Sequence, residues 1–182
     1  MPQAPEFELP NVAAGPDPYR LSARAADVDL VVLLFQRDYY CTNCRQQVQD
    51  VKGRYDEFRE RDAEVASVLP EPVDRARDWQ ETYDLPYPLL ADPDAAVGDD
   101  YDQPVRFGVL GTLSDFFGRM PEAAIVDLRA DRELAYSYRS RSTFDRPELD
   151  DLLAELDDLR AGDASARPKK SGTRTDADAG SG

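Results

Sequence analysis

The stretch Leu30–Phe35, LVVLLF, is apolar at every position, and it runs directly into a pair of cysteines, Cys41 and Cys44. A short run with no polar face suits a strand buried on both faces of its sheet. Behind the cysteines, Cys44, Val48, Val51, Tyr55 and Phe58 recur at helical steps, which predicts one helix over about 43–61 whose apolar stripe begins at the second cysteine. A buried strand that turns through Cys-X-X-Cys into a buried helix face restricts the chain to an α/β architecture.

The elements on either side agree. Glu64 to Pro70 predicts a second strand and Val73 to Tyr83 a helix with Trp79 and Tyr83 on one face. Leu85 to Ala95 reads as a turn-rich connection with a short apolar centre, followed by a weak helix from Ala96 to Tyr101. Residues 123–128 and 133–139 predict a hairpin, and Pro147 to Arg160 an amphipathic helix carrying Leu149, Leu152, Leu153, Leu156 and Leu159. The order β-α-β-α, then hairpin, then helix gives a mixed sheet flanked by helices. Residues 1–27, rich in proline, read as an extended leader packed on the domain of residues 28–160. Residues 161–182 contain no large apolar side chain and predict a disordered tail.

Composition removes several chemistries. The chain of 182 residues contains no histidine, which excludes Ser-His-Asp and Cys-His catalysis and the commonest zinc ligand. Two cysteines alone cannot close a structural zinc site, and neither metal nor cofactor is expected. A net charge of -15 argues against nucleic acid and anionic membrane as partners. The N-terminus has neither the basic start nor the apolar stretch of a signal peptide, which points to the cytoplasm. Basic residues are almost all arginine and acidic ones mostly aspartate, a balance similar to that of halophilic archaeal proteins. Salt shortens the screening length from about 10 Å at 0.1 M to about 3 Å at 1 M, so the melting temperature is expected to rise from millimolar to molar KCl. An unchanged value would contradict a salt-adapted surface.

The chemistry concentrates at the cysteines. At a helix N-terminus, unpaired amides and the positive end of the helix dipole favour thiolate over thiol, which lowers a cysteine pKa from about 8.5 to somewhere near 3.5–7.5. Cys-X-X-Cys spacing lets the sulfurs meet across one turn, so a disulfide forms and is reduced reversibly. Arg37 and Arg45 flank the pair and add positive potential.

The segment FQRDYYCTNCRQQV resembles the corresponding segment of the alkyl hydroperoxide reductase/thiol-specific antioxidant group, the peroxiredoxin-like redoxins. FELPNVAAG, YDLPYPLLADPDAAVGDDY and MPEAAIVDLRADRELAYSYR are similar to further family segments in order and spacing, over about residues 6–160. The resemblance implies a thioredoxin-like fold and an antioxidant thiol oxidoreductase. Its substrate would be a peroxide or a disulfide, its electron donor a thioredoxin-type reductant, and its assembly a homodimer. A non-catalytic redox-sensing domain is the alternative.

The family carries Thr-X-X-Cys where this chain has Cys41 and Cys44. That correspondence makes Cys44 the peroxidatic thiol and Cys41 its resolving partner. By the thioredoxin pattern Cys41 attacks and Cys44 resolves, and both assignments stand open on the sequence. The family's proline before its threonine is replaced in the Asp38–Tyr40 stretch, and its later-strand arginine falls at Pro121. Pro121 matches the cis-proline of thioredoxin-like folds, and Arg119 is the nearest substitute for the missing arginine. Thr42, Arg37 and Tyr40, which stands with Tyr39 where a family tryptophan flanks the site, complete the expected supporting set.

Overall fold

The computed structural model describes residues 2–102, 122–142 and 144–162. Seven strands and five α-helices are placed among them. They are β1 (Glu8–Leu9), β2 (Tyr19–Arg20), β3 (Leu30–Phe35), α1 (Thr42–Gly53), α2 (Tyr55–Arg59), β4 (Ala63–Leu69), α3 (Val73–Tyr83), β5 (Leu89–Ala91), α4 (Ala96–Asp100), β6 (Glu122–Asp127), β7 (Glu133–Arg139) and α5 (Leu149–Arg160). The main sheet has the order β5-β4-β3-β6-β7. β3 and β4 run parallel, as do β4 and β5, whereas β6 is antiparallel to both β3 and β7. This is the α/β, thioredoxin-like arrangement of a mixed sheet between layers of other elements.

β3 occupies the centre, and all six of its residues are buried. Its alternation divides the core in two. Leu30, Val32 and Leu34 face a cluster that contains Cys41, Cys44, Val48 and Val51 of the α1 region, Trp79 of α3, and Leu152, Leu153, Leu156 and Leu159 of α5. Val31, Leu33 and Phe35 face Phe7, Leu9, Tyr19 and Leu21 of the leader together with Val97 and Tyr101. At about 1.5–3 kcal/mol for each fully buried large side chain, these two layers dominate the stability of the fold. They also fix the end of β3, from which the cysteine turn departs.

The structure corrects two sequence expectations. The helix predicted over 43–61 is two helices, because Gly53, a poor helix former, ends α1 and Arg54 leaves helical geometry at φ -122°, ψ 14°. Phe58 still reaches the core from α2. The connection from Leu85 to Ala95 contains a third parallel strand, β5, whose three residues are all buried against Ser67–Leu69. Tyr-Pro and Asp-Pro turns on both sides of so short an apolar run hid the strand. The Asp92 carboxylate that follows it accepts the amides of Ala96, Val97 and Gly98 and so caps α4.

The leader is anchored by a buried polar cluster. Tyr19 donates to Glu64 at 2.8 Å, and Arg24 donates to both oxygens of Glu64 at 3.0 Å. Glu64 sits on β4, so these hydrogen bonds join the leader to the main sheet and form only when the leader is docked.

Glu122 opens β6 on the sheet face away from the cysteines, since its neighbours Ala123 and Ala124 belong to the cysteine-side and leader-side clusters respectively. Burial pushes its carboxyl from 4.5 up to about 8, with Arg139 and Ser137 pulling it down and Asp102 adding to the rise. The native state therefore holds a proton that the unfolded chain has already released, and stability falls as pH rises from about 4.5 to about 8. Glu122→Gln is expected to flatten that slope, raising the melting temperature by several degrees at pH 8.5 and leaving it unchanged at pH 4.5. Identical pH profiles for the two proteins would contradict the assignment.

Candidate active site

The turn between β3 and α1 builds the site. Asp38 organises it: its carboxylate accepts the Tyr40 amide at 2.8 Å, its carbonyl accepts the Cys41 amide at 3.4 Å, and its second carboxylate oxygen pairs with Arg37 Nε at 2.7 Å. Cys41 then stands in extended geometry as the N-cap of α1, and its sulfur accepts the Cys44 amide at 3.2 Å. The cysteine thus fills the role that serine, threonine or aspartate usually plays at a helix start. Cys41 and Cys44 are joined in a disulfide with Cα atoms 5.2 Å apart. The two residues are 1% and 0% exposed.

Among the described residues, two further donors make three contacts with the sulfurs in addition to the capping amide. The Arg37 backbone amide donates to Cys44 Sγ at 3.4 Å. Arg146 Nη2, from the segment leading into α5, donates to Cys41 Sγ at 3.2 Å and to Cys44 Sγ at 3.3 Å. Burial first, and the Arg37 charge second, push the Arg146 guanidinium down to about 10, which leaves it a cation at neutral pH. Its Nε and Nη1 are buried and have no hydrogen-bond partner among the described residues. A thiolate at either cysteine would sit against a cation and a backbone amide, that of Cys44 in the first turn of α1 for Cys41 and that of Arg37 for Cys44, a setting that lowers thiol pKa.

The sequence-derived residues fall into three groups. Cys41, Cys44 and the Arg37 backbone meet, but the Arg37 side chain turns to Asp38. Tyr40 is 55% exposed beside Cys41, and Thr42 is exposed on the first turn of α1. Pro121 and Arg119 lie outside the described residues, as does the tail beyond Gly162. Arg146 was missed by sequence reasoning: it is one arginine in an arginine-rich chain, and its contacts span more than a hundred residues. Its only local mark is its place directly before Pro147 and the closing helix.

Beside Arg146 a cavity of about 280 Å³ opens between α1 and the start of α5, lined among others by Asn43, Gln46, Gln47, Phe144 and Leu149. Phe144 is 80% exposed. Among the described residues no group of three histidine, cysteine, aspartate or glutamate side chains is placed to hold a metal, and no helix is long and apolar enough to cross a membrane.

Comparison with known proteins gives the same picture. Solved structures similar to this one include peroxidoxin BcpB from Mycobacterium tuberculosis, at 25% identity with a TM-score of 0.68, covering 88% of this chain and 95% of that one. The 2-Cys peroxiredoxin of Plasmodium vivax matches at 16% identity with a TM-score of 0.70, covering 87% of this chain and 94% of that one. The bacterioferritin comigratory protein of Xanthomonas campestris, whose structures concern alkyl peroxide reduction, matches at 17% identity with a TM-score of 0.68, covering 84% and 91%. No curated protein matches by sequence. The AhpC/TSA family matches residues 2–127, which include the turn, both cysteines and four of the five strands of the main sheet. The chain belongs to the AhpC/TSA family.

Proposed function

We propose that the protein is a thiol peroxidase in which Cys44 attacks the peroxide and Cys41 resolves the product. The observation that carries this reading is the convergence of the Arg146 guanidinium on a disulfide seated at the start of α1. In the reduced protein the Cys44 thiolate attacks one oxygen of ROOH, the O–O bond breaks, and RO⁻ leaves and takes a proton as the alcohol. Cys44 becomes a sulfenic acid. The Cys41 thiolate then attacks that sulfur, the S–O bond breaks, and hydroxide departs as water, leaving the disulfide. A thioredoxin-type dithiol restores both thiols and is itself oxidised.

Arg146 is the cation present at both steps, and its two spare donors suit the oxygens of the peroxide and of the leaving group. The near-complete burial of both cysteines favours a small substrate such as a peroxide over the disulfide of a folded protein.

One observation favours a second reading. Cys41 Sγ holds the N-cap position and accepts the Cys44 amide, the place from which a leading cysteine attacks disulfides. Peroxide consumption with thioredoxin and its reductase as electron source, set beside reduction of a protein disulfide by the same dithiol protein, separates the readings. Rapid peroxide turnover with slow disulfide reduction is expected, and the reverse would favour the second reading.

A further inference from the structure

The turn that carries Cys41 contains neither proline nor glycine between Gln36 and Cys41, yet it must deliver a thiol to Cys44. What holds it is a grip on the backbone of one residue, Tyr39. Its carbonyl accepts Arg45 Nε at 3.0 Å, Arg45 Nη2 at 2.8 Å and Trp79 Nε1 at 3.3 Å. Its amide donates to Glu71 Oε1 at 3.0 Å, and Glu71 in turn holds Arg75 at 3.2 Å. The Arg45 guanidinium also lies 4.7 Å from the Tyr39 ring centroid and 5.2 Å from that of Trp79, and its Nη1 donates to the Tyr83 hydroxyl at 3.1 Å. Three donors on one carbonyl, drawn from α1 and α3, exceed what a surface turn needs for solvation. Arg45 sits one residue after Cys44, so the residue that grips the turn is rigidly tied to the helix bearing the second sulfur.

We propose that Arg45 is a positioning residue for disulfide closure: by holding the Tyr39 carbonyl it keeps the 38–41 turn, and with it the Cys41 thiol, within reach of Cys44. The proposal rests on the peroxidase reading for its place in the cycle, where Cys41 closes on the Cys44 sulfenic acid. The grip itself acts on any oxidation of the pair. Arg45 donates to the Tyr39 carbonyl and the Tyr83 hydroxyl, not to the sulfurs. It raises the effective concentration of one thiol at the other.

The test measures the dithiol–disulfide equilibrium of the full chain against dithiothreitol, together with the rates of sulfenic acid formation and of its conversion to disulfide after mixing with hydrogen peroxide. In Arg45→Ala the equilibrium constant for the protein disulfide is expected to fall about tenfold, which is about 30 mV in potential. The ratio of closure rate to sulfenic acid formation rate is expected to fall by a similar factor. Arg45→Lys keeps the charge but not the fork that spans the Tyr39 carbonyl and the Tyr83 hydroxyl, so it is expected to behave like the alanine variant. A folded Arg45→Ala protein with unchanged equilibrium and unchanged ratio would overturn the proposal. So would full recovery in Arg45→Lys, which would assign the effect to charge alone. If Arg45→Ala does not fold, Trp79→Phe removes only the third donor to the carbonyl. A fall of twofold or more in its equilibrium constant supports the grip, and no fall overturns it. Loss of peroxide reactivity in the wild type alongside a shifted equilibrium in the variants would reject the peroxidase reading and leave the positioning role standing.

Discussion

Cys44→Ser is expected to lose peroxide turnover by at least about a thousandfold, because a hydroxyl at neutral pH is not the thiolate that the O–O bond requires. Cys41→Ser is expected to differ in kind. Its Cys44 still forms a sulfenic acid once, at a rate close to that of the wild type, but it has no partner on which to close. Turnover with a dithiol protein donor then drops sharply, and the sulfur is exposed to further oxidation to the sulfinic state. The disulfide also contributes to the native state, with Cα atoms 5.2 Å apart at the base of α1, but its loop spans a single turn. Both serine variants are therefore expected to fold, and serine is itself a good N-cap at position 41. Quenched-flow peroxide consumption with each variant checks the pair, and equal loss in the first turnover of both would contradict the division of roles.

Arg146→Met is the second large effect. Removing a preorganised cation from the reacting atoms commonly costs about 10²–10³ in rate, and a hundredfold fall in the second-order rate constant with peroxide is expected. Stability should move the other way or not at all. The Arg146 guanidinium is buried enough to be pushed down to about 10, and two of its donors have no partner among the described residues. Its replacement by an apolar side chain of similar length removes a desolvation cost and, among the described residues, leaves no buried acceptor without its donor except the sulfurs. A melting temperature that holds or rises while peroxide reactivity falls a hundredfold is a signature that a purely structural arginine would not give. Arg146→Lys restores charge without the planar fork and is expected to recover only part of the rate.

The fold was legible to the extent that each segment carries its own periodicity. β3 declares itself as six apolar residues in a row, and α3 and α5 by stripes that the core then buries, with Trp79 and Leu152, Leu153, Leu156 and Leu159 in the cluster around the cysteines. β5 did not declare itself, because three residues between proline turns acquire strand geometry only by pairing with Ser67–Leu69. The break between α1 and α2 depends on a single glycine inside an unbroken stripe. At the site, the cysteines were legible because their chemistry is local: a motif, a helix start and a preceding strand lie within a short stretch. The Arg146 contact was not, since it is made by the closure of the last connection over the first helix and has no sequence spacing to read. Nor was the grip on the Tyr39 backbone, where Arg45 adjoins the motif but its partners Trp79 and Tyr83 come from α3.

In the proposed mechanism peroxide oxidises Cys44, and Cys41 then closes on it. The most direct measurement is the mass of the reduced Cys41→Ser protein after one equivalent of hydrogen peroxide in the presence of a sulfenic-acid trap, with the modified peptide identified. One trap adduct on Cys44 is the expected result, with the wild type instead gaining a disulfide and no adduct. An unmodified Cys44 in that variant, together with a trap adduct on Cys41 in Cys44→Ser, would contradict it.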